Sequence, residues 1–158
     1  MKILASVGST GFKFDRLFTL LDELVENGVI KGKDLIAQTG KIDYQIKNFE
    51  NFDFASYEKM MDLITWADVV VCHSGTGTVI NSLKRNKKVI VVPRLKKYKE
   101  HESDHQLDLA SAFASDGYVL VANDYEQLKH AIENIENFTP KKFVSNNENF
   151  VSLINELI

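Results

Sequence analysis

Residues 69–72, Val-Val-Val-Cys, place apolar side chains at four consecutive positions. A β-strand sends successive side chains to opposite faces, so an unbroken apolar run marks a strand covered on both sides. Such strands belong to parallel sheets with helices above and below. The rest of the chain repeats the theme. Residues 2–7, 34–38, 68–72, 88–92 and 118–121 read as strands, and a short third strand is expected somewhere in 44–52. Between them lie amphipathic stretches at 15–27, 57–66, 78–85, 104–115 and 125–135, with a last one at 148–158. In 15–27, Leu17, Phe18, Leu20, Leu21, Leu24 and Val25 recur at helical steps, Asp15 is placed to cap the start, and Gly28 sits where the end favours positive φ. Strand–helix alternation with right-handed crossovers predicts a doubly wound, Rossmann-like α/β fold.

The 158 residues fit one domain spanning 1–158. With 44% hydrophobic and 26% charged residues, disorder, a collagen repeat and a disulfide scaffold are excluded. The single cysteine, Cys72, has no partner for an internal disulfide, which fits a reducing compartment. Met1-Lys2 lead directly into the first strand, so no leader peptide is expected, and no apolar run approaches the ~20 residues of a membrane-spanning helix. Eight of the 19 basic residues, and none of the 22 acidic ones, fall between Lys84 and Lys99. This stretch is either a solvated helix end and loop or a cationic face toward a nucleotide diphosphate, a lipid pyrophosphate or a membrane surface. Nucleic acid is not expected as a partner: the chain is acidic overall and no aromatic series accompanies the lysines.

In doubly wound sheets, ligands bind beyond the carboxyl ends of the strands. The loops after the first, fourth and fifth strands therefore carry the chemistry. Gly8-Ser9-Thr10-Gly11 follows the first; its glycines allow close backbone approach and its hydroxyls suit oxygen anions, although it also fits an ordinary turn. It lacks the Lys-Ser/Thr of a P-loop and the third glycine of a dinucleotide fingerprint. His73-Ser74-Gly75-Thr76-Gly77-Thr78 follows the fourth. Two glycines, three hydroxyls and the free N–H groups of a helix start form a ready phosphate site, with the glycines leaving room for the anion. The third loop, 93–106, holds Arg94, His101, His105 and Gln106. His101-Glu102-Ser103-Asp104-His105 spells a zincin-like pattern, but that chemistry requires both histidines on one helix and a third ligand. With the helix expected to start near residue 103 or 104, no metal site is assigned, and His105 and Gln106 read as polar contacts facing the crevice. Cys72, at the end of a buried strand, reads as a packed apolar residue rather than a nucleophile.

These loops, in this order, resemble the carboxyl-terminal half of glycosyltransferase family 28, most closely the short soluble subunits of two-component enzymes. Residues 67–78 and 101–110 carry the likeness, which extends over nearly the whole chain. The resemblance implies the donor-holding half of a GT-B glycosyltransferase. Gly8, Ser9, Thr10, Gly11, His73, Ser74, Gly75, Thr76, Gly77 and Thr78 would bind the UDP-sugar, the two glycine-bearing loops meeting its diphosphate, and His105 and Gln106 would lie near the donor sugar. Asn81 stands where a relative grips the ribose with a carboxylate, so charge assistance is missing there. Arg94 would assist the pyrophosphate. The catalytic base is not identified; His73 and His105 are the candidates, with a partner residue equally eligible. No cofactor or metal is implied. The implied partners are a membrane-anchored subunit that binds the acceptor and, through it, a lipid-linked saccharide. The implied location is cytoplasmic, peripheral to the inner face of the membrane. The apolar stripe of the helix at 147–158 suits either docking to that partner or folding back on the sheet. The expected reaction is inverting sugar transfer in capsule or exopolysaccharide synthesis. A non-catalytic accessory subunit and a flavodoxin-like phosphate-ligand receiver are the alternatives.

Overall fold

The structure, a computed structural model, describes residues 1–9 and 11–144. Thr10 and the helix expected at 147–158 lie outside the described residues.

Six parallel strands form one sheet in the order β3-β2-β1-β4-β5-β6. The strands are β1 (Ile3–Ser6), β2 (Leu35–Gln38), β3 (Glu50–Phe52), β4 (Val69–Cys72), β5 (Lys88–Val91) and β6 (Leu120–Val121). The helices are α1 (Asp15–Glu26), α2 (Tyr57–Trp66), α3 (Thr76–Lys84), α4 (His105–Ser115) and α5 (Tyr125–Glu133). The doubly wound α/β expectation is therefore met, and the run at 69–72 is the central strand, paired on both sides.

The pleat divides the core in two. Ile3, Ala5, Val69, Val71 and Ile90 face one layer, where they meet Leu17, Phe18, Leu21 and Leu24 of α1 and Leu128, Ala131 and Ile132 of α5. Leu4, Val70, Cys72, Val89 and Val91 face the other, against Ile64 of α2, Val79 and Leu83 of α3, and Leu109, Ala110 and Phe113 of α4. Alternate residues of the same apolar run thus fill opposite cores, which is why none of them can be polar.

Two details of the expected elements change. Asp15 does not cap α1: Phe14 occupies the N-cap without a side-chain hydrogen bond. The Asp15 carboxylate instead accepts from the Asp43 and Tyr44 backbone N–H groups. Asp22, buried on α1, accepts from the Tyr44 hydroxyl and from the N–H groups of Lys47 (2.9 Å) and Asn48 (3.0 Å). That hydrogen bond, with burial and the Asp22 charge, pushes the Tyr44 phenol up to about 12. Because carboxylates of α1 take up these amides, residues 43–48 do not extend the ladder, and the third strand is only three residues long. Gly28 has φ +78°, as its place after α1 demands.

Replacing Asp22 leaves three part-buried donors, on Tyr44, Lys47 and Asn48, without their acceptor, which costs about 1–3 kcal/mol. Asp22→Ala is expected to lower the urea midpoint by that equivalent with an unchanged m-value, measured by circular dichroism.

Candidate functional site

Ser6 and Cys72, the last residues of β1 and β4, are register partners, so the chain leaves both strands side by side. From β1 the order runs outward through β2 to β3, and from β4 outward through β5 to β6. The β1/β4 boundary is therefore the topological switch point, where a crevice opens beyond the carboxyl ends. A cavity of about 460 Å³ lies there. It is lined by Gly8, Ser9, His73, Gly75, Gly77, Thr78 and Asn81, from the loops after β1 and β4 and from α3, and by Phe54, Ala55, Tyr57, Met60, Met61 and Ile64, from the loop after β3 and from α2. Ser6 and Gln38 also line it.

The glycine-bearing wall is built by α3, which starts at Thr76, two residues earlier than its sequence pattern suggests. Gly75 is the N-cap and supplies no side-chain cap. The N–H groups of Thr76, Gly77 and Thr78 therefore lack intrahelical acceptors and carry the positive end of the helix dipole. Ser74, 2% exposed, adds an Oγ without a hydrogen-bond partner among the described residues. The two glycines differ in purpose. A Cβ on Gly77 would meet nothing within 4 Å, in keeping with room for a ligand. A Cβ on Gly75 would collide with the His73 imidazole, 2.5 Å from its Nε2, and one on Gly8 would lie 3.0 Å from the same atom. Gly75 and Gly8 accommodate His73 rather than a ligand.

His73 is buried, and its Nδ1 contacts Gln106 Nε2 at 3.2 Å and Arg94 Nη1 at 3.4 Å. Burial, the Arg94 charge and, less strongly, His101 lower its pKa to about 3 against a raising contribution from Gln106, so the imidazole is uncharged at physiological pH. Arg94 does not reach the cavity as expected. It is fully buried, donating from Nη2 to the carbonyls of Val7 (3.3 Å) and Phe12 (3.1 Å), with its guanidinium 5.3 Å from the Phe14 ring centroid. Desolvation lowers its pKa to about 10, which still leaves it charged. Gln106, also buried, accepts from the Arg94 N–H through Oε1 at 3.0 Å and is not part of the cavity wall. His105, half-buried at the first turn of α4, is likewise absent from the wall, as are Gly11, Ser74 and Thr76.

Gln38, at the end of β2, carries a role that the sequence reading missed. Its Oε1 accepts from Ser6 Oγ (2.9 Å) and from the Val7 and Gly8 N–H groups, and its Nε2 donates to the Gly8 and Asp53 carbonyls. One amide thus ties the loop after β1 to the loop after β3. The apolar lining was missed too: Phe54 and Tyr57 are 45% and 69% exposed at the cavity mouth. The signal was the aromatic pair Phe52-Asp53-Phe54 before α2, obscured because the third strand was only loosely placed.

The basic stretch does not form one face. Lys84, Arg85, Lys87 and Lys88 lie at the end of α3 and the start of β5, whereas Lys96, Lys97 and Lys99 follow its carboxyl end. Arg94 is buried between the two groups. His101 and His105 do not share a helix, since α4 begins at His105 and His101 stacks on Phe12 at 5.1 Å. No cluster of three metal-ligating side chains occurs among the described residues. Cys72 is wholly buried and its thiol is pushed up to about 12 by desolvation, as a packing residue should be.

The chain belongs to the family described as glycosyltransferase family 28 C-terminal domain, whose pattern matches residues 2–158. It is 32% identical over 83 residues to the UDP-N-acetylglucosamine transferase subunit ALG13 of Candida glabrata, covering 51% of this chain and 39% of that protein. It is 27% identical over 162 residues to the UDP-N-acetylglucosamine–N-acetylmuramyl-(pentapeptide) pyrophosphoryl-undecaprenol N-acetylglucosamine transferase of Clostridium botulinum, covering 98% of this chain and 42% of that protein. The matches thus span about two fifths of these relatives. Among solved structures, the fold is shared with the NMR structure of ALG13 (TM-score 0.63, 21% identity, covering 96% of this chain and 94% of that one). It is shared also with the kitacinnamycin glycosyltransferase (TM-score 0.58, 16% identity, 99% and 38% coverage). The fold is that of a GT-B carboxyl-terminal half.

The contrast between the two glycines is testable. Gly75→Ala forces His73 to move and is expected to cost about 1–3 kcal/mol in thermal unfolding. Gly77→Ala, in open space on a helix, is expected to leave stability equal or slightly raised.

Proposed function

We propose that this chain is the donor-binding catalytic subunit of a two-component inverting glycosyltransferase. It takes a sugar from a UDP-sugar and passes it to a lipid-pyrophosphate-linked saccharide, in the synthesis of a surface polysaccharide such as a capsule or exopolysaccharide. The observation that carries the reading is the meeting of the α3 N-terminus and the Gly8–Ser9 loop on one cavity at the switch point. Family membership supports it, as do the relatives whose names record UDP-N-acetylglucosamine transfer.

The cavity has the polarity of a nucleotide. A diphosphate fits beside the glycines, where the N–H groups at the start of α3 and the Thr78 hydroxyl donate to its oxygens. The uracil fits against Phe54 and Met60, and the ribose lies between them, near Asn81. In the reaction the acceptor oxygen forms a bond to the anomeric carbon while the bond to the UDP oxygen breaks. The electron pair goes to the diphosphate, and the α3 amides stabilise the growing charge. The acceptor proton goes to a base on the partner or to His105. The partner is a membrane-anchored subunit that holds the acceptor and keeps this chain at the cytoplasmic face. No helix among the described residues is long and apolar enough to cross a membrane.

Calorimetry with UDP, UDP-sugars and GDP-sugars tests the reading. UDP and UDP-sugars are expected to bind with or without magnesium and GDP-sugars more weakly. Thr78→Ala is expected to weaken UDP about tenfold, the worth of one hydrogen bond to a charged oxygen. Transfer assays with each subunit alone and both together then separate a catalytic subunit from an accessory one. If His105→Ala and Thr78→Ala leave the turnover of the pair unchanged, this chain only assists.

A further inference from the structure

We propose that the exposed turn Lys96-Lys97-Tyr98-Lys99 is a contact for an anionic phospholipid surface, and that it sets the carboxyl edge of the sheet, where the crevice opens, against the membrane. The contact itself is independent of what the crevice binds. Only its use, bringing the crevice to a lipid-linked acceptor, rests on the reading above.

Leu95 and Glu100 are buried, and the four residues between them are all exposed. Lys96–Tyr98 form a single turn of 3-10 helix, and Lys99 closes it at φ +57°, a left-handed conformation that lysine rarely adopts. Side chains pin both ends. Glu100 accepts from the Leu95 N–H at 3.0 Å and from Arg16 Nε at 2.9 Å, and Asp104 accepts from the Lys96 N–H at 2.9 Å. Such backbone strain persists only where the surroundings over-determine it, and it gathers at segments with a function.

The turn presents charge that the protein leaves unmet. Lys96, Lys97 and Lys99 form no ion pair among the described residues. Of the carboxylates around them, Glu100 is held by Arg16, Asp43 by Lys13, and Asp104 by the Lys96 amide, while Glu102 is exposed and pairs with none of the three. Tyr98 is 51% exposed, with Lys97 Nζ and the Arg16 guanidinium each 4.9 Å from its ring centroid. Protein interfaces are depleted of lysine. Flexible ammonium groups around an exposed tyrosine suit the membrane–water interface instead, where lysines meet headgroup phosphates and the ring sits at headgroup depth.

The position fits as well. The turn follows β5 at the carboxyl edge, and the loop after β1 borders both features: Gly8 and Ser9 line the crevice, whereas Lys13 shares a second hollow with Arg16, Tyr98 and Lys99. The other basic group lies at the amino edge, where Lys87 shares a hollow with Lys141 and Lys142. A membrane met there would leave the crevice facing away from it.

Co-sedimentation of the full chain, without nucleotide, compares vesicles containing phosphatidylglycerol with vesicles of phosphatidylcholine alone. Binding is expected only to the anionic vesicles and is expected to weaken as salt rises. The triple variant Lys96→Gln, Lys97→Gln, Lys99→Gln is expected to lower the partition coefficient about a hundredfold. The control Lys84→Gln, Lys141→Gln, Lys142→Gln removes equal charge at the opposite edge and is expected to leave it nearly unchanged. Tyr98→Trp is expected to shift its emission to shorter wavelength on anionic vesicles, read against the wild type, whose single tryptophan is Trp66. No binding by the wild type, equal losses in the two triple variants, or an unshifted Tyr98→Trp emission overturns the proposal. A wild type that ignores vesicles while the turn variant slows sugar transfer by the assembled pair gives the turn to the partner subunit, and overturns it too. Vesicle binding without UDP binding overturns the nucleotide reading and leaves the membrane contact standing.

Discussion

A buried guanidinium holds the site together. Arg94 is fully buried, and burying a charge is costly unless its donors are met. Here Nη2 donates to the two ends of the loop after β1, at the Val7 and Phe12 carbonyls, with the face of Phe14 alongside. The same residue fixes Gln106 through its backbone and His73 through its side chain. One cation thus joins the loops after β1, β4 and β5. Removing its side chain would leave the Val7 and Phe12 carbonyls and the His73 imidazole without this partner in the interior, so this residue is placed to organise the crevice and not to touch what enters it.

A second clamp works from the other side. Gln38 joins the loop after β1 to the loop after β3 through five hydrogen bonds to Ser6, Val7, Gly8 and Asp53. A third, Arg16, reaches from α1 to Glu100, Pro93 and Asn123. The strand ends are close because parallel pairing makes them so; the side-chain clamps turn proximity into a defined cavity. The chemistry then falls to backbone groups at the start of α3, which are held in place before any ligand arrives.

Much of this was legible in the sequence because parallel strands announce themselves. The run at 69–72 required two covered faces, and Gly75 and Gly77 after it marked the end that matters. The turns at Gly8 and Gly28 also followed from residue type. What was not legible depended on contacts distant in sequence. Gly75 looked like room for a ligand, but the neighbour it accommodates is the imidazole two residues before it. Arg94 and Gln106 looked like side chains facing a substrate, but they face His73. Gln38 looked like the last residue of a strand. The aromatic lining at Phe54 and Tyr57 went unread because carboxylates on α1 shorten the strand that precedes it, and nothing local in 43–48 discloses those bonds. The basic stretch misled because a strand crosses the whole sheet between Lys87 and Lys96, separating charges that adjoin in sequence.

The most direct test of the account is a crystal structure of the protein with UDP. The account predicts the diphosphate within hydrogen-bond reach of the N–H groups at the start of α3, with the base beside Phe54. A nucleotide bound away from the β1/β4 crevice, or seated there with its phosphates turned from α3, would contradict it.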